Sequence, residues 1–135
     1  HPFAIDEQTT VDHTDSGRYL GAGAQRAFWV RTAAGQLAYA LPQLKQLLAG
    51  APNALVESNS ILNYLVPDLY VSVVDFRVQD LKQSARLFLN NANAIVVTGG
   101  STPWPDVPGR WLDKPRLRMA GLPDFVKTEM TLRYS

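Results

Sequence analysis

The sequence predicts an α/β fold with a mainly parallel sheet and helices on both faces. Strand-like apolar runs alternate with segments of helical periodicity, and strands separated by helices require crossover connections, which make the strands parallel. The apolar run 54–56 ends abruptly in the acidic Glu57, which is typical of a buried parallel strand that stops at the carboxyl edge of a sheet. Ligands of open α/β sheets bind at that edge, so Glu57 is the first candidate functional residue.

The N-terminal segment 1–16 is polar and shows no clear period, and residues 1–13 are predicted to form a loop. Thr14 or Asp15 suits the N-cap of a short helix. That helix is predicted over about 16–24, where three glycines weaken it.

Two elements are predicted before the run that ends in Glu57. The bulky residues 27–31 favour a strand. Leucines recur at helical spacing over 37–48 and predict a helix, which Pro42 splits or kinks. The next strand is predicted over 54–57, after the Gly and Pro residues that stop the helix.

The second half of the chain continues the alternation. A short helix is predicted over 60–65, a strand over 69–75, a helix over 78–91 and a last clear strand over 94–98. The tail is predicted to be an irregular, packed segment over 101–123 that contains a short strand at 117–119, followed by a C-terminal helix over 124–135. These elements together predict a single α/β domain of 135 residues.

Composition excludes several classes of protein. Hydrophobic residues make up 46% and charged residues 19% of the chain, which is ordinary for a globular domain. The 13 basic residues are scattered and the net charge is +1, so no nucleic-acid footprint is predicted. No apolar stretch approaches the roughly 20 residues of a spanning helix, so no membrane contact is expected. The absence of cysteine excludes disulfides, thiolate metal sites and cysteine nucleophiles. With no secretory pattern, cytoplasm is the expected compartment.

A family resemblance rests on residues 15–24, DSGRYLGAGA, and on the strand, helix and apolar run ending in Leu55-Val56-Glu57 that follow them. This order resembles P-loop GTPase-like proteins related to the molybdopterin-guanine dinucleotide biosynthesis adaptor, within the dethiobiotin synthetase-like class. The resemblance extends over residues 13–98, and Ser58 stands where that family has glycine.

The resemblance implies a site for Mg²⁺ and GTP or ATP. Glu57 would be the catalytic and metal-binding residue, with Asp15 as a second acidic group at the metal. Asp15, Arg18, Ser58 and Asn59 would contact the cofactor. Three of these residues also have an alternative, purely structural interpretation. Glu57 could cap the next helix, Asp15 could be a first-turn acid favoured by the helix dipole, and Arg18 could be a solvated helix residue.

The chain departs from the family at the phosphate-binding loop. No Gly-x-x-x-x-Gly-Lys-Ser/Thr motif occurs in the sequence, although that loop normally grips the phosphates. The expectation is therefore a P-loop-type chain that lacks its first strand and P-loop helix, is inactive in isolation, and hydrolyses nucleotide when the loop is supplied. An upstream segment or a second copy would complete the sheet. The alternative function is a non-catalytic α/β binding or scaffold module.

Three further positions invite a functional interpretation. Asp75 ends its predicted strand and is expected to face the same sheet edge as Glu57. Residues 98–100, Thr-Gly-Gly, stand where related proteins often keep an Asn-Lys-x-Asp motif that reads the base, so guanine specificity is not predicted. Trp104 and Trp111 either stack on a base or partner, or pack the irregular tail over the sheet.

Overall fold

A computed structural model describes residues 2–78, 89–100 and 113–134 of the chain. The chain divides into two compact units, His1–Glu57 and Ser58–Ser135, which are called the N-terminal and the C-terminal unit. Most of the predicted helix 78–91, and both Trp104 and Trp111, lie outside the described residues. None of the helices in the described ranges has the length and apolar character needed to cross a membrane.

The N-terminal unit is built on a two-stranded antiparallel ribbon. Strand β1, Phe3–Gln8, pairs with strand β2, Ala27–Thr32, in a register that sets Phe3 opposite Thr32 and Gln8 opposite Ala27. The prediction of a loop over residues 1–13 is therefore wrong for β1, and β2 is antiparallel.

Strand β1, which was predicted to be a loop, pairs with β2 along its whole length and carries ion pairs that support this pairing. Its two acidic residues are paired across the ribbon: Glu7 with Arg26 and Asp6 with Arg31, each at 2.6 Å. Oppositely charged cross-strand neighbours stabilise an antiparallel pair. Because this pairing partner lies some 20 residues away in the chain, the polar composition of the segment gave no local sign of a strand.

Two helices complete the N-terminal unit. Helix α1, Asp15–Gly21, follows Thr14 as its N-cap, which confirms one of the two predicted caps. A 3₁₀ turn, Leu37–Ala40, leads into helix α2, Leu41–Ala49, with a proline in its first turn. The predicted helix with a break at its proline is thus confirmed, since proline fits the first turn of a helix but not its interior.

The predicted strand over 54–57 is absent. These residues form no strand and all of 51–60 is exposed, with Leu55 76% and Val56 51% accessible. The prediction of a buried parallel strand ending at Glu57 is therefore wrong. A run of three apolar residues buries little area by itself, and it becomes a strand only where another strand accepts its backbone hydrogen bonds.

The C-terminal unit contains the predicted parallel sheet. Its strands are β3, Val71–Asp75, β4, Ala94–Gly99, and the short β5, Arg116–Leu117, in the order β3-β4-β5. Both pairings are parallel. The described structure is accordingly a mixed α/β fold with a three-stranded parallel sheet.

The core of the C-terminal unit lies along this sheet. Strand β4 is central, and its first three residues are buried on both faces of the sheet, as expected for a parallel strand covered on each side. The buried cluster next to it consists of Val74, Leu89, Ala92 and Ile95, with Tyr70, Phe76 and Val97 packed against it.

Short polar bridges and a terminal helix complete the unit. The Asn93 side-chain oxygen accepts from the Tyr70 backbone N–H at 2.7 Å, and Lys114 donates to the carbonyls of Asn90 and Ala92 at 2.8 Å. The predicted short helix at 60–65 is a 3₁₀ turn, Ser60–Asn63, and a second 3₁₀ turn is Met119–Gly121. The predicted C-terminal helix is confirmed as α3, Leu122–Tyr134.

The two units differ in how many large apolar side chains they bury. Among residues 2–57, the buried positions are Gly17, Ala27 and Ala40, so no large apolar side chain of that unit is fully buried. A two-stranded ribbon without such burial is only marginally stable.

We therefore expect hydrogen exchange to divide the chain. Amides of β4 should exchange at least about tenfold more slowly than those of β1, because buried, centrally paired strands open only in larger unfolding events. Mass spectrometry of peptides or residue-resolved NMR checks this. Equal protection of β1 and β4 would contradict the difference in burial.

Candidate functional site

The candidate site is organised by helix α1 and the turn before it. The Thr14 hydroxyl accepts from the Gly17 N–H at 3.2 Å, so it caps the helix in the usual manner. The Asp12 carboxylate accepts from the Thr14 N–H at 3.0 Å, from the Thr14 hydroxyl and from the Gln8 side chain at 2.9 Å. The hydrogen bond from the Thr14 hydroxyl is the main cause that lowers the pKa of Asp12.

Glycine is required at position 17 because Asp12 in the preceding turn lies too close for a side chain there. A Cβ at Gly17 would lie 1.9 Å from Asp12 Oδ1 and 2.7 Å from the Asp12 backbone nitrogen. The cap, the carboxylate and the glycine therefore fix the start of α1, and the two functional candidates on this helix, Asp15 and Arg18, project from a braced segment.

Helix α1 is linked to Glu57 by Tyr19. The Tyr19 hydroxyl donates to Glu57 Oε2 at 2.8 Å. Burial, then the hydrogen bond to Glu57, and finally the negative charges of Glu57 and Asp15 raise the pKa of Tyr19 to about 12. The phenol is therefore protonated throughout the physiological range, and it acts as a donor to the carboxylate.

Two of the predicted site residues are brought to this phenol. Asp15 lies one helical turn before Tyr19, on the same side of α1, and its charge acts on the Tyr19 hydroxyl together with that of Glu57. Residues separated by about 40 positions in the chain therefore share one environment. Arg18 is exposed on the same helix, and its carbonyl accepts from the Ala22 N–H at 3.0 Å.

The predicted cofactor residues after Glu57 have a local role in the C-terminal unit. The Ser58 hydroxyl accepts from the Ile61 N–H at 3.3 Å, and it lies 3.3 Å from the Ser60 hydroxyl. Ser58 therefore hydrogen-bonds to the start of the turn Ser60–Asn63, whose N-cap residue is Asn59, so Glu57 does not have the capping role that the sequence left open for it. Asn59 is exposed, and its carbonyl accepts from the Leu62 N–H at 3.2 Å.

The metal-binding capacity of the site is limited. No group of three or more His, Cys, Asp or Glu residues within the described ranges is placed to hold a metal ion. Asp15 and Glu57 supply two exposed carboxylates. Mg²⁺ commonly takes one or two protein carboxylates and completes its octahedron with water and phosphate oxygens.

A second polar cluster lies at the carboxyl end of β3 and β4. Arg77 donates from Nε and Nη2 to the two oxygens of Asp75 at 3.0 and 2.8 Å, and this side-chain hydrogen bonding is the main cause that lowers the pKa of Asp75. The guanidinium lies over Gly99, where a Cβ would be 2.3 Å from Arg77 Nε.

Asp75 ends its strand as predicted, but Glu57 follows no strand, so the prediction that both end strands of one sheet is wrong.

Sequence reasoning missed two residues of these clusters. Tyr19 stands four residues after Asp15, and this spacing was a signal that both lie on one face of α1. Arg77 carried no signal of its own, because only the folded turn brings it over Gly99.

Comparison of this chain with protein-family models, with curated proteins and with solved structures finds no match.

Proposed function

We propose that the chain contributes the acidic part of a Mg²⁺–nucleoside triphosphate site in a P-loop GTPase-like protein, of the class related to molybdenum-cofactor biosynthesis. Glu57 positions the ion or its water, and Asp15 is the second carboxylate at the ion. Arg18 is a further cofactor contact in this proposal. Because the sequence has no phosphate-gripping Lys-Ser/Thr loop, residues outside these 135 supply that part of the site.

The observation that carries the proposal is the hydrogen bond between Tyr19 and Glu57. It joins the two segments on which the family resemblance depends, and it does so with both candidate carboxylates acting on one phenol. The proposal no longer depends on a strand ending at Glu57. It depends on two exposed carboxylates, Asp15 on α1 and Glu57 at the Tyr19 hydroxyl, since Mg²⁺ commonly takes one or two protein carboxylates together with water and phosphate oxygens.

Nucleotide titration followed by residue-resolved NMR tests the proposal. We expect Mg²⁺–ATP or Mg²⁺–GTP to bind the 135-residue chain weakly, with a dissociation constant of about 1 mM or more, since the phosphates lack their loop. Shift changes should centre on residues 12–20 and 55–57. Glu57→Gln should weaken Mg²⁺-dependent binding by about tenfold or more.

Asp68→Asn is the matched control for Glu57→Gln. It removes the same unit of charge from an exposed position, and it should leave the titration unchanged. Calorimetry provides a second criterion: micromolar binding by the chain alone would contradict the need for an external loop. Shifts that spread evenly over the molecule, or that survive Glu57→Gln, would remove Glu57 from the site.

A non-catalytic binding or scaffold module remains the second candidate function, and the exposure of Leu55 and Val56 favours it. Exposed apolar side chains next to each other on an unpaired segment are typical of a surface that a partner covers. In that case Leu55→Ser should reduce self-association in light scattering, while Glu57→Gln should change neither association nor nucleotide titration. The nucleotide proposal predicts the opposite response to Glu57→Gln.

A further inference from the structure

The residues around Glu57 give its carboxylate little support. All of 51–60 is exposed and forms no strand. Among the described residues, Tyr19 is the one that donates a side-chain hydrogen bond to the Glu57 carboxylate. A carboxylate on such a segment samples many positions unless a contact restrains it, and every restraint removes entropy that a ligand would otherwise have to remove on binding.

We infer that Tyr19 is a positioning residue, which holds the Glu57 carboxylate beside Asp15 in readiness for the cation. The inference rests on the proposed function for the nature of the ligand, whereas the contact itself is a property of the free chain. Tyr19 was not among the site residues that the sequence predicts.

The geometry suits Tyr19 to this role. Tyr19 is half-buried, and its hydroxyl reaches the exposed carboxylate of Glu57. Its helix is fixed at the N-terminal end by the Thr14 cap and the Asp12 turn. A phenol donates a single hydrogen bond to one oxygen, so the other oxygen, Oε1, keeps its lone pairs for an ion or for a water bound to it.

The position of Asp15 adds to the argument. Asp15 and Tyr19 are four residues apart on one helix, so a carboxylate held by Tyr19 is also held on the side of α1 that carries Asp15. Two like charges repel, and a donor placed with them offsets part of that repulsion before a cation arrives. Tyr19 therefore orients the Glu57 carboxylate and also offsets part of the repulsion between Glu57 and Asp15.

Tyr19→Phe tests the inference, because it removes the hydroxyl and keeps the ring. Tyr39→Phe is the control, since Tyr39 lies in the same unit and is 63% exposed. Two quantities are measured for each variant: the backbone order of residues 54–58 in the free chain, by NMR relaxation, and the ratio of nucleotide dissociation constants in EDTA and in Mg²⁺.

The expected result is specific to the hydroxyl of Tyr19. Tyr19→Phe should lower the order of 54–58 and reduce the gain in affinity from Mg²⁺ by about threefold to tenfold, with the dissociation constant in EDTA unchanged. A merely structural contribution would change both dissociation constants together. Tyr39→Phe should match the wild type in both measurements.

The outcomes separate the two proposals. If Tyr19→Phe leaves the order of 54–58 unchanged, Tyr19 does not position Glu57 and the inference is overturned, even if nucleotide binds. If the wild-type chain shows no Mg²⁺-dependent binding but Tyr19→Phe loosens 54–58, the positioning stands and the proposed function fails. Loss of order without any change in the Mg²⁺ gain would limit Tyr19 to bracing the segment and would overturn its role toward the cation.

Discussion

Leu89→Ala is expected to lower the free energy of unfolding by about 2–4 kcal/mol. Leu89 is 1% exposed and is one of the two largest fully buried side chains among the described residues. It packs in the cluster with Val74, Ala92 and Ile95. Truncation removes apolar contacts and leaves a cavity that a dense core fills only in part.

Urea unfolding followed by circular dichroism measures the effect of Leu89→Ala. Leu132→Ala is the matched control, because the same atoms are removed from a side chain that is 70% exposed in the same unit. It should change the free energy of unfolding by less than about 0.5 kcal/mol. Equal losses for the two variants would mean that Leu89 is not part of the cooperative core.

Gly17→Ala is expected to destabilise the chain by about 1–3 kcal/mol. The new methyl group would meet both the carboxylate and the backbone nitrogen of Asp12. The carboxylate cannot move away freely, because Thr14 and Gln8 hold it with hydrogen bonds. The start of α1 would have to shift, and the N-cap at Thr14 would weaken.

Gly50→Ala is the control for Gly17→Ala. Gly50 has φ −80°, and a Cβ there would meet nothing closer than 3.7 Å, so alanine should be neutral or slightly stabilising. Thermal unfolding ranks the two variants. Combining Gly17→Ala with Asp12→Ala should recover part of the loss, since the side-chain clash is then absent. Strict additivity of the two changes would show that Asp12 is not what the methyl group meets.

Local signals account for the parts of the fold that the sequence predicted correctly. Thr14 caps α1, proline stands in the first turn of α2, and the apolar strands β3 and β4 follow from their own composition. Each of these features depends on residues a few positions apart.

Long-range pairing accounts for the errors. Strand β1 pairs with β2 across the ribbon, and its two acids form ion pairs with Arg31 on β2 and with Arg26 just before β2. The run 54–56 has strand-forming residues, but none of the described strands pairs with it. At the candidate site, Asp15 and Glu57 were predicted individually, whereas the phenol that joins them is visible only once residues 19 and 57 are side by side.

The Arg77 guanidinium lying over Gly99 has an electrical consequence. Arg77 is the group that lowers the pKa of Asp75, and it occupies the volume that any side chain at Gly99 would need. An uncharged methyl group at that position would displace a cation and leave a carboxylate less neutralised at the end of the parallel sheet. The absence of a side chain at Gly99 thus allows the Arg77 guanidinium to stay where it neutralises the Asp75 carboxylate.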